Sequence, residues 1–390
     1  MKMKLFFRRI HLYLSLSAGL VILIACATGA LLVFEKDLQM SLNKSRYFVK
    51  PSSNKMTLEE LGRKVQQQVP NSKISSIKVY DAADRSVEIN ITVPEKKVQK
   101  KGAGSVTNLT AFVNPYTGQL LEAYNYRKTF FYKVFALHRW LLGDSKSIGK
   151  YIVGIATFIF LFILITGIIL WWPKTRNILV QRLKIKQDGG WKRLNHDLHI
   201  VLGFYSAIFL FVFAFTGLAW SFEWFNKGIY KVTSSPMAAP PIPKSIYNKT
   251  AKPVSTDHAL AAAKTVYPEG NFYSITHPKD SIGAITVSVL SNDALHEGAT
   301  HAVYIDQYAA TVLGRLPFSE RSPGAKVRST FKPIHTGSIG GTPSKIVAFV
   351  VCLLGVSFPI TGTIMWWNRT RKKKRSGSLA ANKKHQLSEL

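Results

Sequence analysis

The chain has 390 residues, 47% of them hydrophobic, and 52 basic residues against 21 acidic ones give it a formal net charge of +31. Size and composition fit two or three soluble domains or a membrane protein. The basic residues cluster beside long apolar segments, which disfavours nucleic-acid binding as the cause of the charge. Only two cysteines occur, Cys26 and Cys352, and both lie in apolar segments, so neither a disulfide framework nor a zinc site is expected.

Four apolar segments carry no charged residue and are long enough, at about 1.5 Å per residue, to cross a bilayer core of about 30 Å. They are Leu12–Phe34, Tyr151–Trp172, Ile200–Trp220 and Ile346–Trp367. Basic residues precede the first, fill the connection between the second and third, and follow the fourth. If the helices alternate in direction, all three basic clusters lie on one side, which the positive-inside rule assigns to the cytoplasm.

The fold class predicted from this pattern is a four-helix transmembrane bundle, built from two helix–outer module–helix repeats with two small α+β periplasmic modules. The N- and C-termini are then cytoplasmic, in a bacterial inner membrane. In chain order the predicted segments are transmembrane helix 1 (1–34), outer module 1 (35–137), helix 2 with its outer end (138–172), a basic cytoplasmic loop (173–195), helix 3 (196–222), outer module 2 (223–334), helix 4 with its outer end (335–367) and a basic tail (368–390).

Each outer module is predicted to combine one helix with antiparallel strands. Thr57–Val69 has the Thr and Glu spacing of a capping box, and Thr256–Val266 takes the equivalent place in the second module. Runs rich in β-branched residues predict strands at Ile74–Tyr80, Val87–Val93, Ala111–Val113, Ile285–Leu290 and His301–Ile305.

Short motifs also recur in the apolar segments. Each contains a Thr-Gly pair, and the second and fourth end in Trp171-Trp172 and Trp366-Trp367. We expect these tryptophans to form an aromatic belt at the cytoplasmic interface, just before the basic residues.

Four histidines stand at the ends of the apolar segments. His11 and His199 lie beside basic sequence, whereas His138 and His335 precede the second and fourth segments on the opposite side. A polar ring beside a bilayer needs a partner, and neutral imidazole is a common ligand of haem iron. Two facing pairs, one per leaflet, predict two haems stacked across the membrane. Because the sequence has no Cys-x-x-Cys-His motif, we expect haem b.

Glycine spacing supports this hypothesis. Gly29 and Gly217 each lie eighteen positions, or five helical turns, after His11 and His199. Together with Gly167 and Gly362 of the other two helices, they would make room for the porphyrins. The alternative is that the Thr-Gly pairs only allow close helix packing.

Other candidate residues lie near the same ends. His196, three residues before His199, is an alternative cytoplasmic ligand or a partner of a propionate. Arg9 and Arg139 are candidate partners of propionates, although Arg9 also fits a role as a topology charge. The histidines of the outer modules have no tight metal spacing, so surface or core roles are expected for them. No side chain is predicted to act as a catalytic acid, base or nucleophile.

The histidine blocks together resemble the PepSY-associated transmembrane family. The resemblance rests on Arg9-Ile-His11, Leu137-His-Arg-Trp-Leu-Leu-Gly143, Asn195-His-Asp-Leu-His199 and Ile334-His-Thr-Gly-Ser-Ile-Gly-Gly341, with the Thr-Gly and Trp-Trp motifs. It extends through nearly the whole chain, to about Arg371.

The resemblance implies a ferric-siderophore reductase with two b-type haems. Electrons would pass from the cytoplasmic side, or from quinol, to an outer haem that reduces a ferric siderophore or another iron chelate; a cupric or flavin-type acceptor is an alternative. Relatives with a fused flavoprotein domain would supply their own electrons, whereas this sequence shows no dinucleotide fingerprint, so the donor is a separate molecule. The alternative function is a non-enzymatic membrane anchor whose outer modules bind or regulate an envelope partner such as a protease.

Overall fold

The computed structural model describes residues 2–94 and 106–388, with side chains up to residue 371. The chain divides into two compact units. The membrane unit comprises Met1–Val33, Lys133–Asn226 and Ile334–Leu390, and the sheet unit comprises Phe34–Tyr132 and Lys227–Pro333. The basic side chains predicted for the tail after Arg371, and His385, lie outside the described part.

Helices account for most of the membrane unit and also occur in the sheet unit. In chain order they are α1 (Lys2–Val33), α2 (Glu35–Leu42), α3 (Lys44–Tyr47), α4 (Leu58–Gln68), α5 (Phe130–Trp140), α6 (Ile148–Trp171), α7 (Arg176–Arg182), α8 (Gly190–Asp197), α9 (Gly203–Ser221), α10 (Glu223–Val232), α11 (Thr256–Val266), α12 (Pro323–His335) and α13 (Gly341–Ser388).

Four helical segments in the described residues are long and apolar enough to cross a membrane. They are Lys2–Val33, Ile148–Trp171, Gly190–Ser221 and Ser338–Arg371, with mean hydropathies of 2.4, 2.8, 2.3 and 2.2 in their most apolar windows. The four predicted spans are therefore confirmed. The third is not one uniform α-helix, because a π-helical turn at Leu198–Leu202 joins α8 to α9.

The four spans pack in a ring. α1 contacts both α6 and α13, and α9 contacts the same two helices. α1 and α9 therefore lie across the bundle from each other, and side chains from both can meet in its interior. The inward positions carry small residues such as Ala18, Gly19 and Ala30 on α1 and Ala207 and Ala214 on α9, which let the backbones approach closely.

The sheet unit contains one continuous antiparallel sheet. Its strands are β1 (Lys73–Tyr80), β2 (Val87–Pro94), β3 (Val106–Val113), β4 (Leu120–Tyr124), β5 (Gly270–Thr276), β6 (Ile285–Ser291), β7 (His301–Ile305) and β8 (Val312–Leu316). The order across the sheet is β4-β3-β2-β1-β5-β6-β7-β8. Each half of the chain contributes a four-stranded meander, and the two meanders join where β1 pairs with β5, from Ser76–Thr276 to Tyr80–Phe272.

One face of this sheet forms the core with α4 and α11. Strand residues alternate, so that Ile77, Ile89 and Ile275 are buried while their neighbours face the other side. Leu61 of α4 and Ala263 of α11 pack into the same cluster. The two outer modules predicted from the sequence thus share one sheet and one core.

The predicted elements of the outer modules are found close to their expected positions. The predicted helix Thr57–Val69 is α4, with Thr57 as its N-cap and Glu60 completing a capping box, and α11 spans the predicted Thr256–Val266. Three strands, β4, β5 and β8, and two helices, α5 and α12, were not predicted from the sequence. Those two helices matter for function, because each ends at or near a histidine.

Both of these short helices stop abruptly. Leu141 and Leu142 follow α5 with positive φ values of 51° and 68°, and the amide of Leu142 donates to the carbonyl of Ala136, which closes the helix end. Gly337, with φ 71°, ends α12 in a similar way. A Cβ at this position would collide with Ala348. His138 and His335 are thereby held in the last turn of a short helix.

Candidate functional site

The four histidines of the span ends meet in two pairs inside the membrane unit. The ring centroids of His11 and His199 are 6.5 Å apart, and those of His138 and His335 are 6.1 Å apart. Each pair joins one histidine from each half of the chain. The first pair comes from the facing spans α1 and α8–α9, and the second comes from the ends of α5 and α12.

Each histidine is held through Nδ1 by a threonine on a neighbouring helix. Nδ1 of His11 lies 3.0 Å from Oγ1 of Thr166, and Nδ1 of His138 lies 3.0 Å from Oγ1 of Thr28. The corresponding Nδ1–Oγ1 distances are 2.8 Å for His199–Thr361 and 3.2 Å for His335–Thr216. These are the threonines of the four Thr-Gly pairs.

A backbone carbonyl also accepts from three of these rings. The carbonyls of Ile163, Ala25 and Phe213 lie 3.1, 3.0 and 2.9 Å from Nδ1 of His11, His138 and His335, respectively. For His199, the threonine is the partner that the structure shows.

The direction of these bonds fixes the tautomer. Each threonine hydroxyl already donates to the carbonyl four residues earlier, as Thr28 does to Ile24 at 2.6 Å and Thr216 to Val212 at 2.7 Å. Its oxygen therefore accepts from the histidine, and a carbonyl can only accept. The carbonyls require the proton on Nδ1 of His11, His138 and His335, so Nε2 of these rings keeps its lone pair for a metal ion, as in metal sites whose second shell orients the ligand. His199 has the same tautomer when the Thr361 hydroxyl donates to the carbonyl of Ser357, 2.9 Å away.

The glycines of the Thr-Gly pairs lie against the same rings. A Cβ placed on Gly29 would be 3.5 Å from Cε1 of His138, and one on Gly167 would be 3.4 Å from Cε1 of His11. The same distances are 3.1 Å for Gly217 and His335 and 3.2 Å for Gly362 and His199. We expected these glycines to make room for porphyrins; in the structure the nearest atom is in each case an imidazole carbon.

The sequence matches the family described as the PepSY-associated TM region over residues 8–369. The chain belongs to this family. It is thus a multi-pass membrane protein of the PepSY-associated TM family, and the matched range includes both histidine pairs. A search of curated proteins finds no match.

In this PepSY-associated TM protein, His199 rather than His196 lies opposite His11. Nδ1 of His196 lies 3.2 Å from Oδ1 of Asp197, and the His196 side chain is half exposed. Asp197 is fully buried and also accepts from Arg193 at 2.8 Å. His196 therefore belongs to a polar network that ends α8, not to the histidine pair.

The π-helical turn alters the helical spacing between His199 and Gly217. His11 and Gly29 lie on one uninterrupted α-helix, as the five-turn calculation requires. His199 lies within the π-helical turn, which has more residues per turn than an α-helix, so eighteen residues from His199 do not make five α-helical turns. Gly217 nevertheless faces His335, as Gly29 faces His138 of the same pair.

The two candidate arginines occupy different surroundings. Arg9 is exposed on α1. Arg139 follows His138 directly, its Nη2 donates to the carbonyl of Trp220 at 3.3 Å, and its guanidinium lies 5.8 Å from the centre of the Trp140 ring. Arg139 thus supplies a positive charge at the end of the membrane unit that holds the His138–His335 pair.

Burial keeps the His138–His335 pair neutral. α5 and α12 lie outside the four spans, and desolvation lowers the pKa of His138 and of His335 to about 4. A neutral imidazole at physiological pH is the form that binds iron.

Aromatic side chains surround both pairs. The ring of Trp220 is 5.5 Å from that of His335, and Phe358 is 5.7 Å from His199.

Trp171 was expected in an aromatic belt at the interface, and this prediction is wrong: its side chain is only 7% exposed and stacks on Phe204 at 3.7 Å. Trp172 and Trp367 are exposed, as a belt residue would be.

The four threonines are the site residues that sequence reasoning missed. The sequence shows the Thr-Gly pairs, but only the glycines were predicted to have a role at the site. A threonine precedes each of the four glycines, and this regularity could have predicted a role for the threonines. Close helix packing alone would also allow Ala or Ser at that position.

The four histidines of the sheet unit make local contacts. Nε2 of His277 lies 3.2 Å from Oγ1 of Thr256, and His301 stacks on Tyr267 at 4.5 Å. Nδ1 of His258 lies 3.0 Å from Oγ of Ser255, and Nδ1 of His296 accepts from the amide of Gly298.

The residues of both pairs fit haem iron. A metal ion about 2 Å from an imidazole nitrogen lies about 3 Å from the ring centre, so two ring centres are about 6 Å apart when one ion lies between the rings. The observed 6.5 and 6.1 Å match this separation. Haem iron takes four ligands from the porphyrin and needs two more, which is what each pair offers.

Proposed function

We propose that the protein is a dihaem b-type electron-transfer protein that reduces ferric chelates. The observation that supports this most directly is the arrangement of the two histidine pairs, in which each Nδ1 is held by a threonine and each Nε2 is left with its lone pair. Two such pairs at opposite ends of one bundle suit two redox centres that carry electrons across a membrane.

His11 and His199 would hold one haem, and His138 and His335 would hold the other. A bound haem supplies one-electron chemistry between ferric and ferrous iron. The protein's own contribution is to fix the imidazoles: the threonines set the tautomer and the ring plane, and the glycines allow each ring to approach a neighbouring helix.

The proposed orientation follows the basic residues. With the loop between α6 and α8 in the cytoplasm, His11 and His199 face the bacterial cytoplasm, and His138 and His335 face the periplasm. Electrons enter from a cytoplasmic reductant or from quinol in the bilayer. They leave at the outer pair, where a ferric siderophore or another iron chelate gains one electron and its iron becomes ferrous.

The haem part of the proposal is tested by the absorption spectrum of the purified protein. We expect a reducible b-type spectrum with two haems per chain, and about one haem per chain in His11→Ala and in His335→Ala. His196→Ala is the matched control, because His196 is a half-exposed histidine on α8 that bonds to Asp197 instead of facing another histidine. A colourless, folded preparation from haem-replete cells would contradict the proposal and would leave the anchor function as the explanation.

The reductase part is tested by mixing the chemically reduced protein with ferric chelates in a stopped-flow spectrometer. The ferrous α-band should decay as a ferrous-iron indicator develops colour, with one iron reduced per haem oxidised. His335→Ala should slow the decay strongly, since the exit centre is lost. An α-band that persists in the presence of every ferric chelate would restrict the function to another acceptor, such as a cupric complex or a flavin.

A further inference from the structure

Two indole N–H groups in the membrane unit are buried without a hydrogen-bond partner. Within the described residues, six buried side-chain polar atoms have no partner, and two of them are Nε1 of Trp140 and Nε1 of Trp171. The other four belong to residues of the sheet unit. An indole N–H can only donate, and a buried donor left unpaired is costly, so a missing acceptor is the simplest explanation for each.

Trp171 lies on the face of α6 that contacts the cytoplasmic histidine pair. It follows Gly167 by four residues, so both occupy the same face, one turn apart, and Gly167 lies against the imidazole of His11. The Trp171 ring stacks on Phe204 of α9 at 3.7 Å with an interplanar angle of 8°, which fixes the ring one helical turn from the contact between Gly167 and His11.

Trp140 is placed differently. It follows His138 by two residues, and side chains two positions apart leave a helix on nearly opposite sides. The Trp140 ring packs on Phe135 at 5.3 Å, so its missing acceptor is not assigned to the His138–His335 pair.

We propose that the indole N–H of Trp171 donates a hydrogen bond to a carboxylate of the group held by the His11–His199 pair. This inference rests on the proposed function, because haem b carries two propionate carboxylates. A carboxylate fits the observation because it only accepts hydrogen bonds and the indole N–H can only donate one. An aromatic-belt role does not account for Trp171, which is buried away from lipid.

The hydrogen bond would also tune the reduction potential. A donor that partly neutralises a carboxylate near iron favours the ferrous state, which has the lower positive charge. Removing the N–H while keeping an aromatic ring should therefore lower the midpoint potential of the neighbouring haem and weaken its retention, without affecting the other haem.

Trp171→Phe tests this inference, with Trp172→Phe as the matched control because Trp172 is an exposed neighbour. The Trp171→Phe variant should release one haem to excess apomyoglobin about tenfold faster than wild type, the effect of losing one hydrogen bond to a charged group, and that haem should show a lower midpoint potential. In a His335→Ala background, Trp171→Phe should act on the one haem left. Unchanged release and midpoint relative to Trp172→Phe would overturn the inference.

A haem analogue with alkyl groups in place of the propionates provides the second test. When the protein is loaded with this analogue, wild type and Trp171→Phe should release it at the same rate. The wild-type protein supplies a readout that needs no variant, since the resonance Raman band for indole hydrogen bonding should shift on loading with haem b and stay in place with the analogue. A wild type that binds no haem refutes the proposed function, whereas two bound haems with no band shift refute only this inference.

Discussion

At the residue scale, one small unit of structure occurs four times. A histidine donates from Nδ1 to a threonine on another helix, and the glycine after that threonine lies against the imidazole Cε1. The threonine hydroxyl uses its own proton on its own helix, so it presents only an acceptor to the ring. The unit therefore orients a ring and selects its tautomer with groups that carry no charge, which suits a bilayer interior.

Thr361→Val should have a larger effect than the same change at Thr28. Thr361 is the Nδ1 partner that the structure shows for His199, at 2.8 Å, whereas His138 keeps the carbonyl of Ala25 when Thr28 is lost. Loss of a partner that orients a metal ligand lowers affinity about 10- to 100-fold. Haem titration of the apoprotein should show this loss at one site in Thr361→Val, and Thr361→Ser, which keeps the hydroxyl, should restore affinity. Equal loss in Thr28→Val and Thr361→Val would contradict the argument.

Gly217→Ala should disturb the outer pair more than Gly29→Ala. A Cβ on Gly217 would approach Cε1 of His335 to 3.1 Å, so the ring must move, whereas 3.5 Å between Gly29 and His138 is an ordinary contact. We expect a changed low-spin ferric EPR signal for one haem in Gly217→Ala and a nearly wild-type signal in Gly29→Ala. The comparison is matched, since both glycines face the same histidine pair. The reverse order of effects would mean that the contact distances do not control ring position.

The sequence identified the histidines and the glycines of this unit but not the bonds that join them. Histidine in an apolar context is rare enough to notice, and its spacing from glycine can be counted. A threonine that back-bonds to its own helix is common in membrane spans, so its second role appears only when the neighbouring helix is placed. The choice between His196 and His199 also needed the fold, because the π-helical turn and the buried Asp197 separate two histidines that lie three residues apart.

At the element scale, the two halves of the sheet unit are joined by a helix cap as well as by strands. Asp257, in the first turn of α11, accepts hydrogen bonds from the amides of Leu58 and Glu59 at 2.8 and 3.1 Å. These amides begin α4 and have no partner within that helix. The capping box of Thr57 and Glu60 provides for the next amide, so a residue from the second half completes the N-terminus of a helix from the first.

Asp257→Ala should therefore destabilise α4. Two amides lose their acceptor, and the cost of removing an N-terminal cap is about 1 kcal/mol, with an upper limit of about 2 kcal/mol. Hydrogen–deuterium exchange should become faster in peptides that cover α4 and stay unchanged in the membrane unit. Asp84→Ala, which removes an exposed carboxylate of the same unit, is the control. Unchanged exchange in α4 would show that the cap contributes little.

The elements that the sequence did not predict share a physical cause. β4, β5 and β8 are short strands of mixed polarity, LLEAY, GNFYSIT and VLGRL, which become strands because a neighbour in the sheet is available. α5 and α12 lie outside the apolar spans; α5 begins with the aromatic residues 130–132, which are typical of strands, and α12 contains Pro333, which disfavours a helix interior. α4 and α11, by contrast, were predictable from caps and periodicity that are local in sequence.

At the scale of the whole molecule, the joining of two sheets into one could not be predicted from local pattern. The pairing of β1 with β5 connects residues about two hundred positions apart. The local sequence of either strand does not specify which strand it will pair with. The four spans were predictable because a bilayer imposes a length and a polarity on each helix independently. The predicted orientation of those spans rests only on the distribution of basic residues. This orientation decides which histidine pair faces the cytoplasm.

Single cysteines in a Cys26→Ala, Cys352→Ala background test this orientation. Asp188 lies in the basic connection between α7 and α8, and Thr117 lies in the turn between β3 and β4; both are exposed. Basic connections stay in the cytoplasm, so an impermeant maleimide should label Thr117→Cys in spheroplasts with sealed inner membranes and should label Asp188→Cys only after these are opened. Labelling of Asp188→Cys in sealed spheroplasts would reverse the proposed direction of electron flow, because His11 and His199 would then form the outer pair.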